Sequence, residues 1–148
     1  MEDLKELVKN ILDKGYLMSL GTLDEKGLWV SDVIYVHGNN FEIYWISDTR
    51  SRHSQALIRN PQVAATVTLS NNQGEENIGL QLEGKAEKIE GDILKIAIKH
   101  RLKRGKPAPK ELGEILDKEE SWYKFNPSNI DLIYEPKFGF NKKTIKLK

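Results

Sequence analysis

The chain is a succession of short strand-like runs joined by turns that leave room only for antiparallel pairing. Tyr16 to Leu23, Leu28 to Val36 and Phe41 to Ser47 are the first three. Asp24-Glu25-Lys26-Gly27 reads as the first turn, with Gly27 supplying a positive φ. His37-Gly38-Asn39-Asn40 is the second, because Gly and Asn both tolerate that conformation. Parallel strands would need long crossovers, so these three form an antiparallel meander. Val63 to Leu69 is a further strand. Asn77 to Glu90 is a long one, in which Ile78, Leu80 and Leu82 alternate with Gly79, Gln81 and Glu83. Gly84 is placed to bend it or to switch its face, as a barrel corner requires. Ser121 to Phe125 and Ser128 to Tyr134 read as two strands split by Pro127, and Thr144 to Leu147 as a last one.

Helices are fewer. Leu4, Leu7, Val8, Ile11 and Leu12 share one helical face, which predicts a helix from about Asp3 to Lys14. Asp3 and Glu6 have capping-box spacing, and Gly15 is the expected left-handed stop. Ser51 to Arg59 reads as a short helix ended by Asn60-Pro61. Asp92 to about Lys103 and Lys110 to Asp117 complete the set, with a Pro- and Gly-containing loop between them. The order predicts a mainly β protein, an antiparallel barrel with helices packed outside. With 148 residues, one domain over 1–148 is expected, long enough to bury a real core.

Composition narrows the function. There are 23 Lys+Arg against 22 Asp+Glu, a formal net charge of +1, so binding to nucleic acid through global charge is not expected. The absence of cysteine excludes a disulfide scaffold, a thiolate metal site and a cysteine nucleophile. The apolar runs are too short for a membrane-spanning helix, and Met1 to Glu6 lacks the order of a secretory signal. A cytoplasmic protein with no membrane partner is the expectation. His37, His53 and His100 form no metal-type pair, so no metal site is expected. His37 reads as a turn residue and His100 as a helix-surface residue.

The densest polar cluster runs from Ser47 to Gln55, between a strand end and a helix start. Helix N-terminal amides, hydroxyls and a guanidinium there suit an anion, so Ser47, Ser51, Arg52 and His53 make a candidate phosphate cradle. The same residues also fit an ordinary capped helix with a solvated charged face. Trp29, Trp45, Trp122, Tyr44 and Tyr123 could stack on a flat ligand or fill a core. Ser31-Asp32 in mid-strand suggests a bulge, a ligand-facing site or a wet edge. The basic run Lys99 to Lys110 suits an acidic or phosphorylated partner, or a solvated helix end.

Ser47, Ser51-Arg52-His53, Asn60-Pro61-Gln62-Val63 and Leu82-Glu83-Gly84-Lys85-Ala86-Glu87 resemble, in order and spacing, the split-barrel superfamily that includes pyridoxamine 5′-phosphate oxidase. Arg52 to Gln55 and the ending Phe138-Gly139-Phe140-Asn141-Lys142-Lys143 are similar to its YhbP-type branch. The resemblance implies an antiparallel split β-barrel, homodimeric, with flavin mononucleotide (FMN) at the subunit seam. It implies that Ser47, Ser51 and Arg52 hold the phosphate, with His53 where an oxidase has Lys. Ser31, Asp32, Val33 and Ile34 would run beside the flavin ring with Ile46 nearby, and Gln81 and Trp122 would approach from the other subunit. Ser31 stands where the oxidase has a flavin-contacting Arg, and its C-terminal Arg-x-His substrate pair has no match in Phe138 to Lys148. The implied activity is therefore a flavin-dependent oxidoreductase or flavin reductase on a small molecule, not pyridoxamine phosphate oxidation. A non-enzymatic flavin or haem binder, or a barrel that has lost its cofactor, is the alternative. An oligonucleotide-binding barrel would need stacking aromatics on a basic strand face, which the sequence does not show.

Overall fold

The structure, a computed structural model, describes residues 3–91, 93–110 and 119–147. Its elements in chain order are α1 (Leu4–Lys14), β1 (Leu17–Asp24), β2 (Gly27–Ile34), β3 (Val36–His37), β4 (Ile43–Asp48), α2 (Arg52–Arg59), β5 (Gln62–Thr68), β6 (Ile78–Ile89), α3 (Leu94–Lys103), β7 (Glu120–Tyr134), α4 (Glu135–Phe138) and β8 (Lys143–Lys146). All ladders are antiparallel, in the order β2-β1-β5-β6-β7-β4-β3, and β8 adds to β7. This is the mainly β, antiparallel architecture that the strand pattern predicts, in the split-barrel form that the resemblance implies. The helix expected over Lys110 to Asp117 lies outside the described residues but for Lys110.

β7 organises the barrel. One of its edges pairs with β6 from end to end, Ile78↔Tyr134 through Ile89↔Trp122. Its other edge is shared, with 120–125 pairing β4 and 129–132 pairing β8. The two runs expected on either side of Pro127 are therefore one strand. The register shifts opposite Glu83 and Gly84: Gly84 faces Pro127 while Glu83 faces Asn129, so Ser128 is extra. Burial follows Tyr123, Phe125 and Pro127, then changes phase to Ile130 and Leu132, whereas β6 keeps Leu80, Leu82 and Ala86 inward throughout. The face switch expected of β6 thus belongs to β7. Pro127 is tolerated because its missing amide falls at the bulge, between the β4-paired and β8-paired stretches.

The long second strand expected over Leu28 to Val36 is broken at Tyr35 into β2 and β3. Tyr35 is fully buried and donates its hydroxyl to the Leu12 carbonyl at 2.7 Å, which ties the strand junction to the end of α1. That contact also explains Gly15, which has φ −69° and ψ 152° rather than a left-handed conformation. A Cβ there would lie 2.6 Å from Val67 Cγ1 and would overlap the Tyr35 hydroxyl. Asp3 caps α1 by accepting from the Lys5 amide at 2.9 Å. In the second turn the positive φ falls on Phe41 (67°), not on Gly38 or Asn39.

Two apolar clusters flank the sheet. The larger joins Leu7, Val8, Ile11 and Leu12 of α1 to inward residues of the strands, including Leu20, Trp45, Leu80 and Phe125. The smaller lies under α3 and contains Val36, Tyr44, Ala97 and Trp122, with Ile46 packed on it. β4 therefore has both faces covered, which is why Ile43, Tyr44 and Trp45 are all buried. His100 belongs to this side. It is 5% exposed, its Nε2 lies 3.1 Å from the Ile34 carbonyl, and it meets Trp122 edge-on. It is a core residue of α3, correcting the surface position expected, and burial pushes its pKa below the ordinary histidine value.

Candidate functional site at the β4–α2 junction

Asp48 ends β4 and begins the turn into α2. Its carboxylate accepts from the Arg50 amide at 2.8 Å and from the Arg50 side chain at 2.7 and 3.0 Å. The Arg50 guanidinium holds the Asp48 carboxyl down at about 2. Ser51 is the N-cap of α2, its Oγ taking the Ser54 amide at 3.3 Å. The Arg52 and His53 amides follow in the first helical turn, where no carbonyl of the same helix can reach them.

Ser47, Ser51 and His53 come together there as the sequence predicts. His53 Nε2 lies 2.9 Å from Ser47 Oγ and 3.4 Å from Ser51 Oγ. Ser54, which sequence reasoning passed over, adds a third hydroxyl 2.8 Å from Ser51 Oγ. Burial pushes the His53 pKa down, so the ring is a neutral hydrogen-bonding group rather than a cation. The Ser47 and Ser51 hydroxyls, the His53 ring and the start of a helix thus meet at one junction, with Ser54 itself buried at 2% exposure. This donor set fits a phosphate group.

Arg52 departs from the expected arrangement. Its Nε and Nη2 donate to the Asp24 carboxylate at 2.8 and 3.1 Å. Its guanidinium carbon lies 4.5 Å from the centre of the Trp29 ring. Asp24, in the β1–β2 turn, is held below the usual carboxylate range by this partner. Both arginines of the junction are thus already matched by carboxylates. An incoming phosphate must share Arg52 with Asp24, using the remaining edge of the five-donor fork. Only the turn was legible around Asp24, because nothing local in sequence signals an ion pair across 28 residues.

The remaining candidates are more dispersed. β2 is the end strand of the sheet path, so one edge of its backbone is open among the described residues. Ser31 is half-buried, and Asp32 accepts from Ser19 Oγ at 2.6 Å. The Val33 side chain is 6% exposed and belongs to the main core, so only its backbone is available to a ligand. The Ile34 carbonyl takes His100 Nε2. Ile46 faces the α3 cluster, on the opposite side of β4 from Ser47. Gln81 is exposed on β6, its Oε1 accepting from Lys142 at 2.7 Å. Trp122 is sealed within its own chain at 1% exposure, so it cannot stack across a seam. Trp45, Tyr44 and Tyr123 are likewise core residues, whereas Trp29 is 44% exposed. Among the described residues no cluster of His, Asp and Glu has the form of a metal site. No helix among them is long and apolar enough to cross a membrane.

An antiparallel split barrel with a polar helix start between β4 and α2 defines the class. The chain belongs to the pyridoxamine 5′-phosphate oxidase family, whose profile matches residues 4–131. A UPF0306 protein of Photorhabdus laumondii is 24% identical over 93 residues, 62% of this chain and 65% of the relative. The chain therefore spans just under two thirds of that curated relative. The crystal structure of General Stress Protein 26 from Bacillus anthracis is similar with a TM-score of 0.70, at 20% identity, covering 97% of this chain and 98% of that one. A haem binding protein from Mycobacterium smegmatis is similar with a TM-score of 0.71, at 17% identity, covering 99% of this chain and 59% of that one. At these identities the structural likenesses speak for the fold.

Proposed function

We propose that the protein binds FMN by its phosphate at the β4–α2 junction and serves as a flavin-dependent oxidoreductase on a small molecule. The observation that carries this reading is the meeting of Ser47, Ser51 and His53 at the start of α2, where Arg52 reaches Asp24 and Trp29 of the β1–β2 hairpin. In this reading the hydroxyls and the first-turn amides hold the phosphate, and Arg52 adds charge from above Trp29. Backbone groups on the free edge of β2, from Ser31 to Ile34, meet the polar rim of the ring. The flavin, once bound, supplies the electron chemistry, so the chain needs no catalytic acid or base of its own.

A second copy of the chain completes the site in this proposal. The outer face of β1 and β2 exposes Leu23, Leu28 and Val30, the last two at 82% and 65%. Beside them a groove of 880 Å³ crosses Gly21, Ala64 and Pro127. An exposed apolar patch beside such a groove suits a homodimer, which would bring the partner's Gln81 toward the ring.

Haem is the alternative that the Mycobacterium smegmatis protein raises. An axial histidine needs a free ring nitrogen. Here Nε2 of His37 lies 2.5 Å from Asp13, Nε2 of His53 is bonded to Ser47, and Nε2 of His100 faces Ile34. His37, whose Nδ1 also meets the Gly38 carbonyl, is thereby unsuited to an axial role, and the flavin reading rests on the groups at the start of α2. Denaturing release of chromophore from freshly purified protein, followed by mass spectrometry, tests the choice. FMN is the expected species. Haem as the released species would overturn the proposal, and an empty protein that takes up neither would mark a barrel that has lost its cofactor.

A further inference from the structure

A second cluster of titratable groups lies away from the β4–α2 junction, between the end of α1 and the end of α3. Asp13, Val36, His37, Lys99, Leu102 and Lys103 line a pocket of 370 Å³. His37 is clamped at both nitrogens, Nδ1 lying 3.0 Å from the Gly38 carbonyl and Nε2 2.5 Å from the Asp13 carboxylate. Lys99 donates to the His37 carbonyl. Lys103 reaches the Leu12 carbonyl at 3.4 Å and lies 3.8 Å from the centre of the Tyr35 ring.

Cation capping of the α1 C-terminus would account for Lys103 alone. It does not account for a cavity, a second lysine and a histidine–carboxylate pair on the same walls. We propose that this pocket captures small carbonyl compounds carrying a carboxylate, with Lys103 forming an imine and Lys99 holding the anionic group. The neutral amine adds its lone pair to the carbonyl carbon, and the carbonyl oxygen takes a proton. The carbinolamine then loses its hydroxyl as water while nitrogen releases a proton and the C=N bond forms. Carbonyl plus amine gives imine plus water, with no change of oxidation state. The two protons that oxygen takes up are the two that nitrogen gives up.

The electrostatics of the pocket support such a nucleophile. Burial pushes the Lys103 ammonium down to about 8. Asp13 on α1 opposes that shift, while Lys99 on α3 reinforces it. An amine with that pKa is roughly one quarter unprotonated near pH 7.5, against about one part in a thousand for an ordinary lysine. The site stands apart from the flavin reading and does not rest on it.

Glyoxylate with sodium cyanoborohydride is the probe, and peptide mass spectrometry locates the trapped adduct. Lys103 of the unmodified chain is expected to be trapped at least about tenfold faster than exposed lysines such as Lys5 and Lys26. Its rate should reach half its maximum near pH 8. Lys99→Gln should slow trapping of glyoxylate more than trapping of acetaldehyde, which has no carboxylate. Equal labelling of all lysines, or a Lys103 rate that climbs to half-maximum only above about pH 10, would overturn the proposal. Equal slowing of both aldehydes by Lys99→Gln would overturn the carboxylate part of it.

Discussion

Replacing Arg52 with Ala is expected to weaken the proposed FMN binding roughly tenfold to hundredfold, and replacing Asp24 with Asn to strengthen it by about threefold to tenfold. The first effect is the loss of a charge-assisted contact to a dianion. The second follows from the observed pairing. The Asp24 carboxylate takes Nε and Nη2 of Arg52 at 2.8 and 3.1 Å and offsets its charge. Asn keeps an acceptor there to orient the guanidinium while removing the competing negative charge. Titration of each variant by quenching of flavin fluorescence measures both. If Asp24→Asn weakens binding instead, Asp24 serves FMN as a positioning residue, and its charge is no competitor. If Arg52→Ala leaves affinity unchanged, the phosphate sits elsewhere.

Gly84→Ala is the substitution expected to cost most in stability, about 3 kcal/mol, or a fall in Tm of roughly 10 °C. A Cβ at Gly84 would lie 2.9 Å from Pro127 Cα and would overlap the Asn126 carbonyl oxygen. These are backbone atoms of the neighbouring strand, at the point where the register shifts. They cannot rotate away as a side chain could. Relief requires β6 and β7 to separate where β7 passes from its β4-paired half to its β8-paired half. Gly74→Ala is the useful comparison. Gly74 has φ +89° with open space around it, so that change costs only about 1 kcal/mol of backbone strain. Thermal or urea unfolding of the two variants distinguishes the causes. Equal stability losses would show that close strand approach at Gly84 is not what fixes the barrel corner.

The strands were largely legible in the sequence because their alternation has period two and most of their turns carry Gly, Asn or Asp. Legibility failed where a tertiary contact overrode a local rule. Pro127 ordinarily interrupts a strand, yet here it coincides with a bulge that the long-range partner Gly84 accommodates. Gly15 looked like a left-handed helix stop, whereas its small size serves Tyr35 and Val67. His100 was hidden by its basic neighbours, although its spacing from Ile93, Ile96 and Ala97 puts it on the buried face of α3. At the candidate site, Ser47, Ser51 and His53 could be grouped because they are local. The partnership of Arg52 with Asp24 and Trp29 joins a helix to a hairpin distant in sequence, and local patterns do not encode it.

In the proposed function the start of α2 holds a phosphate. Comparing the affinity of the purified protein for FMN and for riboflavin, which differ only in that group, tests it most directly. FMN is expected to bind at least about tenfold more tightly, with the preference lost in a Ser51→Ala, Arg52→Ala double variant. Equal affinity for the two flavins in the wild-type protein would contradict the account.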